Sequence, residues 1–416
     1  MSSPGPAEPE PLGRNRNFNL LWVGGAFSAV GSRASAIAFP LLVLAVGGSP
    51  GDAGLVAAAA TVPLLLFQIP AGPLVDRWDR RLVMIVTDAG RAAAIGSVAV
   101  VALFGTPTLP HLAIAAFTEG SLFACHVLAQ RCAVQTVVPQ RQLRAALSRN
   151  EITARAAFLS GQPIGGLLFA LGRAAPFVFD FLTYLLSLAT TLLMRGRFRV
   201  PPAARRQSVL ADARDGFRWL WHERFLRTAA GAIAVSNMLL HAAYLTVIVV
   251  ITEQGGSPVL VGFVLAGTGA GGIIGAIMAP WIARQTSMAN IFIGVNWTWA
   301  LLILLIATVN HPLMSAVGFA VFAFAGATSN VVLGAYQIRI TPQPLMARVS
   351  AVIGTVSWGA IPLGSWLAGV LLDRYGGTTP LALLGGLMVA VAVAVTFNPA
   401  MRPARTAEPA PAKVVA

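Results

Sequence analysis

The chain has 416 residues, of which 56% are hydrophobic and only 11% are charged, and its formal net charge is +14. A soluble protein of this length needs more charged side chains to cover its surface. The basic residues lie in the gaps between long apolar runs rather than along one face, which argues against nucleic-acid binding. Because about 20 mostly apolar residues cross a bilayer as a helix, the recurring runs predict an all-α integral membrane protein.

Twelve transmembrane helices are predicted, in two groups of six. In chain order they lie near residues 17–47, 52–75, 83–104, 110–136, 148–172, 174–194, 226–253, 258–283, 289–308, 312–339, 347–372 and 378–398. The longest internal hydrophilic segment is a predicted cytoplasmic loop at 195–225, which contains a candidate amphipathic helix, Val209–Trp221. It separates an N-terminal six-helix bundle (17–194) from a C-terminal one (226–398). Polar, proline-rich residues 1–16 are predicted to be a disordered cytoplasmic tail, and 399–416 a second cytoplasmic tail.

The arginines predict the orientation of the spans. Positively charged loops are retained in the cytoplasm. If the N-terminus is cytoplasmic, nearly all loop arginines fall on the inner side, and only Arg173 and Arg374 fall on the outer side. A missing or extra span would scramble this asymmetry. We therefore expect a multi-pass protein of the plasma (inner) membrane with both termini in the cytoplasm.

The two halves also resemble each other in sequence. At one constant offset, Gly161 corresponds to Gly364, Gly166 to Gly369 and Gly72 to Gly275. These positions are loop entries and small residues within spans, where helices approach closely. Parallel half-repeats of this kind are typical of transporters whose halves rock about a central site.

The loop between the second and third spans carries the pattern Gly-x-x-x-Asp-Arg-x-x-Arg-Arg, formed by Gly72, Asp76, Arg77, Arg80 and Arg81. A basic loop that only fixes topology is the alternative interpretation. The spacing resembles the cytoplasmic signature loop of the major facilitator superfamily, although Asp79 stands where that family usually has glycine. The resemblance implies the major facilitator fold, with two pseudo-symmetric six-helix bundles, and a role for this loop in conformational switching.

Two further segments resemble the drug- and siderophore-exporter branch of the superfamily, such as enterobactin exporters. These are Asn17–Trp22 at the start of the first span and Asp88-Ala-Gly-Arg91 in the third. Because Asp88 and Arg91 lie near the cytoplasmic end of their span, we interpret them as a structural pair that supports the signature loop. The acidic residue common early in the first span of that branch is replaced here by Ser32 and Arg33.

The fifth span contains Gly161, Pro163, Gly165 and Gly166. The segment is similar to the antiporter motif of superfamily exporters, with the proline shifted by one place. Small residues let helices pack closely in a membrane, and proline kinks a helix. The motif therefore predicts a tight helix contact and favours export over uptake. Generic packing of small residues is the alternative.

Ionisable residues inside a membrane are costly and mark functional candidates. Arg33 lies midway along the first span, Glu119 within the fourth and Asp180 in the sixth. The resemblance places the first and fourth spans beside the central cavity, so Glu119 is the leading proton-coupling candidate, with Arg33 as the partner of its ionised form. A static buried ion pair is the alternative. Asp180 is the next candidate, unless it lies at the outer interface.

Polar residues in two later spans are candidates for lining the cavity: Asn237, His241, Tyr244, Asn330 and Gln337. The sequence has no nucleotide-binding P-loop, no cluster with metal-ligand spacing and no nucleophile–base pair. We therefore expect neither an enzyme nor a cofactor.

The sequence thus predicts a secondary transporter that exports amphipathic small molecules, such as drugs, siderophores or secondary metabolites, in exchange for protons. Multidrug resistance is the expected consequence. The expected partners are the small-molecule substrate, protons and the lipid bilayer, and the expected state is a monomer. Uptake of a small solute with protons and lipid flipping are the alternatives. The direction of flux in whole cells, with and without an uncoupler, distinguishes uptake from export.

Overall fold

The computed structural model describes residues 12–67, 78–196, 198 and 209–401, and all the regular structure within them is helical. The α-helices, numbered in chain order, are α1 (Arg16–Ala45), α2 (Pro50–Phe67), α3 (Arg80–Phe104), α4 (Leu109–Val137), α5 (Leu143–Leu171), α6 (Ala175–Leu193), α7 (Val209–His222), α8 (Arg224–Glu253), α9 (Pro258–Gln285), α10 (Met288–Val309), α11 (Pro312–Ile340), α12 (Met346–Gly359), α13 (Ile361–Tyr375) and α14 (Thr379–Phe397). The predicted all-α fold is confirmed.

Within the described ranges, eleven helical segments are long and apolar enough to cross a membrane. The remaining predicted span corresponds to α5, a 29-residue helix whose first half carries Arg144, Arg149, Glu151 and Arg155. Another predicted span is split into α12 and α13 at Ala360. Pro362 follows this break, and proline lacks the amide hydrogen that a continuous helix needs.

Side chains at several helix starts accept hydrogen bonds from backbone amides that the helix leaves unpaired. Asn15 caps α1, Asp79 caps α3 and Ser257 caps α9. The Asp79 carboxylate accepts from the amide of Arg81 at 2.9 Å. Its departure from the usual glycine of the signature loop therefore has a local structural role.

The helices pack mostly within their own half of the chain. In the N-terminal half, α1 packs on α5 and α6, and α3 packs on α4 and α6. In the C-terminal half, α9 packs on α11, α10 on α14, and α13 on α8. The extensive contacts between halves are those of α5 with α9 and of α2 with α13. The exact limits of the two bundles stay a prediction.

The glycines of the sequence repeat lie at equivalent helix contacts. A Cβ on Gly161 would lie 2.5 Å from that of Arg33 on α1, the first helix of its own half, and one on Gly364 would meet the backbone of Met238 on α8. Gly166 instead abuts Gly262 on α9, and Gly369 abuts Gly51 on α2. The second pair therefore lies at the contacts between halves. We call the end of the molecule where these contacts lie the sealed end.

The predicted amphipathic helix is present as α7 and packs against α12. Arg348 on α12 forms ion pairs with Asp212 at 2.8 Å and Asp215 at 2.9 Å. A Cβ on Gly216 would lie 2.7 Å from the carbonyl oxygen of Arg348, so the two helices are in backbone contact. Phe217 and Trp221 stack on each other on the exposed face.

Candidate functional site

The carboxylate of Glu119 on α4 is the centre of a polar network inside the N-terminal half. Its Oε1 atom accepts hydrogen bonds from Arg91 Nε at 3.2 Å, from Arg91 Nη2 at 3.0 Å and from the Tyr184 hydroxyl at 2.9 Å. The Glu119 side chain is 17% exposed, whereas that of Arg91 is 1% exposed. Hydrogen bonds between charged groups are about twice as strong as neutral ones, so this carboxylate is held firmly by α3 and α6.

Arg91 joins four helices. Its Nη2 atom also donates to Ser32 on α1 and to Tyr184 on α6, both at 2.9 Å, and Nη1 donates to Ser28 on α1 at 3.4 Å. The guanidinium lies 4.1 Å from the centre of the Tyr184 ring and 5.2 Å from that of Phe123. A buried arginine with this many partners fixes the relative positions of α1, α3, α4 and α6.

Tyr184 was missed by the sequence reasoning. It is fully buried, and its hydroxyl contacts Glu119, Arg91 and, at 3.0 Å, Ser32. A tyrosine inside an apolar span resembles a packing residue in sequence. Its position four residues after Asp180, on the same helix face, is the one signal that links it to an intramembrane charge.

Asp180 is fully buried between α6 and α1 and does not lie at an exposed interface. Its carboxylate accepts from the Ser35 hydroxyl at 2.5 Å and from the Thr183 hydroxyl at 3.3 Å. It also interacts electrostatically with Glu119 and Arg91. Gly31 on α1 leaves room for this buried carboxylate, and the depth of Asp180 in the membrane stays a prediction.

Asp88 forms the inner part of the same network. It is fully buried, accepts from the Ser187 hydroxyl at 2.7 Å, and lies 3.9 Å from Arg91 and 3.2 Å from Nδ1 of His126. Asp88 and Arg91 do form a pair, as expected from sequence. Arg91, however, pairs more closely with Glu119, so these two residues belong to the interior of the bundle.

Arg33 does not form the expected ion pair with Glu119, whose partner is Arg91. The Arg33 guanidinium lies 4.4 Å from the ring centre of Phe158 on α5 and is exposed although it lies midway along α1. Its charge interacts electrostatically with Glu119 and with Tyr244 on α8. The pairing of Glu119 with Arg91 could not be predicted from the sequence, because the spacing of residues along the chain does not define how each helix is rotated about its axis.

The polar candidates on α8 form one stripe that faces Arg33. Asn237, His241 and Tyr244 are spaced by four and three residues. His241 Nδ1 donates to the Asn237 carbonyl at 2.9 Å, the rings of His241 and Tyr244 are 5.7 Å apart, and Arg33 interacts electrostatically with His241. Arg33 on α1 therefore lies near this stripe on α8, which belongs to the other half.

The two candidates on α11 are farther from this network. Asn330 is exposed, and Gln337 donates to the Ser350 hydroxyl on α12 at 2.8 Å. Neither makes a described contact with the stripe on α8. Their assignment to the cavity stays a prediction.

The antiporter-like segment lies between α1 and α9. A Cβ on Gly165 would lie 2.6 Å from the carbonyl oxygen of Ala34 and equally close to Ile37 on α1. Gly166 faces α9 instead, because a Cβ built on it would lie 3.1 Å from Gly262 Cα. Pro163 contacts Gly262 as well. The predicted tight helix contact is therefore present on both sides of α5.

Part of the signature loop can be placed. Arg81 donates to the carbonyls of Thr191 at 3.1 Å and Leu192 at 2.7 Å, the last residues of α6. Arg80 is buried and donates to the Phe198 carbonyl at 3.2 Å. Arginine at a helix C-terminus satisfies carbonyls that the helix leaves unpaired. Three predicted loop residues lie outside the described residues: Gly72, Asp76 and Arg77.

Comparison with known proteins identifies the family. A family model described as transmembrane secretion effector, within the major facilitator superfamily, matches residues 9–414. The multidrug efflux pump Tap of Mycolicibacterium fortuitum is 29% identical over 408 residues, which cover 92% of this chain and 96% of that protein. Macrolide efflux protein A of Streptococcus pyogenes is 22% identical over 395 residues, covering 90% and 94%.

Solved structures share the fold. The nucleoside transporter NupG superposes with a TM-score of 0.72 at 12% identity and covers 93% of this chain and 99% of its own. A bacterial homologue of the human lysosomal transporter Spinster superposes with a TM-score of 0.69 at 12% identity, covering 94% and 96%. The chain therefore belongs to the transmembrane secretion effector family of the major facilitator superfamily, and it is a multi-pass membrane transporter rather than an enzyme.

Proposed function

We propose that this transporter exports amphipathic small molecules, such as drugs, siderophores or secondary metabolites, in exchange for protons. The observation that carries the proposal is the Glu119 carboxylate, held by Arg91 and Tyr184 and partly exposed within the membrane-spanning bundle. The names of the relatives, multidrug efflux pump and macrolide efflux protein, support the direction and the breadth of the substrate class.

The balance of charge supports proton coupling. Three carboxyl groups, of Asp88, Glu119 and Asp180, and two guanidinium groups, of Arg33 and Arg91, lie in the middle of the described N-terminal half. If all five were ionised and His126, 3.2 Å from Asp88, were neutral, one negative charge would lack a compensating cation, which is costly inside a membrane. One bound proton makes the set neutral. Glu119 is the carboxyl group that combines 17% exposure with a place in this set, so it is the one that takes and releases the proton.

Protonation of Glu119 would also change the packing of the bundle. The ionised carboxylate binds the Arg91 guanidinium, and the neutral acid binds it more weakly. Because Arg91 connects α1, α3, α4 and α6, a proton on Glu119 loosens the contact that holds these helices together. We infer that this change biases the equilibrium between two arrangements of the halves, which is the coupling that alternating access requires.

The geometry at the sealed end fits rocking of two rigid halves. The glycine contacts of α5 with α9 and of α2 with α13 bring backbones of opposite halves together at that end. With both termini in the cytoplasm, as the arginines predict, the sealed end is the outer one and Arg33 is approached from the inner side. The protein would then load substrate from the cytoplasm and act as a monomer, since the space between its own halves forms the path.

Transport in proteoliposomes tests this function. Ethidium and a labelled macrolide serve as probes, and flux is driven by an imposed pH gradient. Glu119→Gln keeps the size of the side chain but cannot bind a proton, so driven flux should fall by about 100-fold or more, within the range attributed to proton-transfer groups. Glu151→Gln is the matched control, because Glu151 is an exposed acid on α5 whose ion pair, among the described residues, is with Arg155.

The outcomes separate the alternatives. Undiminished driven flux in Glu119→Gln would contradict proton coupling through this residue. Accumulation of a probe in whole cells that an uncoupler abolishes would indicate uptake rather than export. Movement of labelled phospholipid between leaflets, with neither probe transported by the wild type, would indicate lipid flipping and would contradict the proposal.

A further inference from the structure

The amphipathic helix α7 carries opposite charges on two different faces. Its two acids point to the protein, where Asp212 and Asp215 pair with Arg348 on α12 at 2.8 and 2.9 Å. Another face carries two arginines and two aromatic residues. They are three or four positions apart and therefore adjacent on the helix surface: Arg214, Phe217, Arg218 and Trp221. We call these four residues the outward face of α7.

The described part of the chain leaves the outward face uncovered. All four residues are exposed, Phe217 by 49% and Trp221 by 57%, and the two ring centres are 5.6 Å apart. Among the described residues, neither Arg214 nor Arg218 forms an ion pair. Exposed aromatic rings are unfavourable in water, and the neighbouring guanidinium groups attract negative charge. This face therefore fits a surface that is both apolar and anionic.

The position of α7 brings its outward face close to the bilayer. α6 begins just after α5 leaves the sealed end and runs toward the opposite end, so α7 lies at that opposite end. A single residue, Glu223, separates α7 from the membrane-spanning helix α8. Arg227, in the first turn of α8, donates to the Trp221 carbonyl at 2.8 Å, and its guanidinium lies 4.9 Å from the Trp221 ring centre. These contacts hold the end of α7 beside the start of a span.

We propose that the outward face of α7 binds the anionic lipid surface of the inner leaflet. Phe217 and Trp221 lie at the level of the lipid headgroups, and Arg214 and Arg218 bind lipid phosphates. Helices with basic and large aromatic side chains lie in the plane of the membrane interface, and tryptophan favours the headgroup level. The loop arginines predict that this end of the molecule is cytoplasmic, and the cytoplasmic leaflet carries anionic lipids. The inference goes beyond the proposed export and does not depend on it.

Lipid binding at α7 would hold part of the C-terminal half at the membrane surface. The ion pairs of Arg348 and the backbone contact of Gly216 make α7 and α12 one packed unit. A soluble protein partner is the alternative occupant of the outward face. The one-residue connection to α8 favours lipid, because the bilayer is already adjacent to α7.

The test measures the depth of a nitroxide label at Phe217→Cys in the full chain, with Cys125 and Cys132 replaced by alanine. The label is apolar and takes the place of the phenylalanine ring. Its accessibility to oxygen, which concentrates in lipid, is compared with that to a nickel chelate, which stays in water. Nanodiscs contain phosphatidylcholine alone or an equimolar mixture with phosphatidylglycerol. Oxygen accessibility should exceed nickel accessibility in the anionic mixture, and the excess should shrink in phosphatidylcholine and at high salt.

Two sets of variants separate charge from shape. Replacing Arg214 and Arg218 by glutamine should lower the ratio of inserted to water-exposed label by about 5-fold for each arginine. Replacing both by lysine keeps the charge and should largely retain insertion. Arg374→Gln controls for loss of positive charge elsewhere, because Arg374 is exposed beside the exposed Tyr375 at the sealed end. Thermal stability should stay near the wild-type value in all three, because these arginines are exposed.

Three outcomes overturn the proposal. A label that stays accessible to the nickel chelate in the anionic mixture shows that the outward face is not at the lipid surface, and leaves a soluble partner as the occupant. Equal insertion in both lipid compositions shows that anionic lipid is not recognised. Unchanged insertion in the double glutamine variant shows that Arg214 and Arg218 do not bind the headgroups.

Discussion

Adding one methyl group at Gly166 should shift the transporter away from the arrangement described here. The Cβ of alanine at this position would meet the Pro258 carbonyl oxygen and would lie 3.1 Å from Gly262 Cα and 3.2 Å from its amide nitrogen. These are backbone atoms of the opposite half and cannot turn aside. Overpacking of a tight contact costs about 1–3 kcal/mol, which corresponds to a change of about 5- to 150-fold in an equilibrium between two states.

The assay measures the distance between the two halves at the sealed end. Spin labels at Arg173→Cys, just after α5, and Gln254→Cys, just before α9, are both exposed. Double electron–electron resonance between them reports the separation of the two halves at the sealed end. Cys125 and Cys132 are first replaced by alanine, because neither is in a disulfide and either thiol could also take the label. Gly166→Ala should add a population with a longer distance. Combining Gly166→Ala with Gly369→Ala, which lies at the equivalent contact with Gly51, should enlarge this longer-distance population.

The matched control is Gly294→Ala on α10. In the part of the chain that the structure describes, no atom outside its own helix turn lies within 4 Å of a Cβ added there, so alanine meets open space. An unchanged distance distribution in the Gly166→Ala, Gly369→Ala double variant would refute the reasoning. An equal shift in Gly294→Ala would show that loss of helical glycine, rather than collision between the halves, moves the equilibrium.

Three further predictions concern charged contacts. Arg91→Ala leaves Glu119 without its buried partner, which typically costs about 3–5 kcal/mol, so thermal stability in detergent should fall. Adding Glu119→Gln should recover part of that stability. No recovery would show that Arg91 acts through its ring contacts. Asp373→Ala removes the acceptor of the Gly51 amide at 2.9 Å, a helix-capping contact worth about 0.5–2 kcal/mol. Spin labels on α2 and α13 should therefore move apart, and an unchanged distance would contradict this prediction. Arg348→Ala breaks partly exposed ion pairs to α7, so it should cost less than about 1 kcal/mol and less still in high salt, whereas a larger loss would mean that α7 is essential to the fold.

The sequence points to Glu119, Arg33 and Asp180 because charge inside a membrane is rare, and the family resemblance ranks Glu119 first among them. All three lie within the N-terminal half, and their role in proton coupling stays a prediction. Their partners were not predicted correctly. Glu119 binds Arg91, and Arg33 stacks on Phe158. Which residues pair depends on the rotation of each helix about its axis and on its depth in the bundle. Neither can be read from the sequence of an apolar span without strong amphipathicity.

Tyr184 illustrates the residues that sequence reasoning passes over. Aromatic side chains are common in spans, and nothing in the order of residues distinguishes one with a packing role from one whose hydroxyl bonds an ionised carboxylate. The distinction needs the contacts of α6 with α1, α3 and α4. Asp79 is a similar case, since its departure from the family pattern becomes understandable once it caps α3.

The sequence by itself determined the fold class, the succession of spans and the family, because each depends on signals that run along the chain: apolar length, charged loops and short motifs at fixed spacing. It also indicated paired glycines in the two halves. Tertiary structure alone decided that Gly161 and Gly364 contact their own halves, whereas Gly166 and Gly369 contact the opposite half. It likewise decided which acid meets which arginine. These features depend on side chains from helices far apart in sequence meeting within a few ångströms, and helix packing fixes such distances.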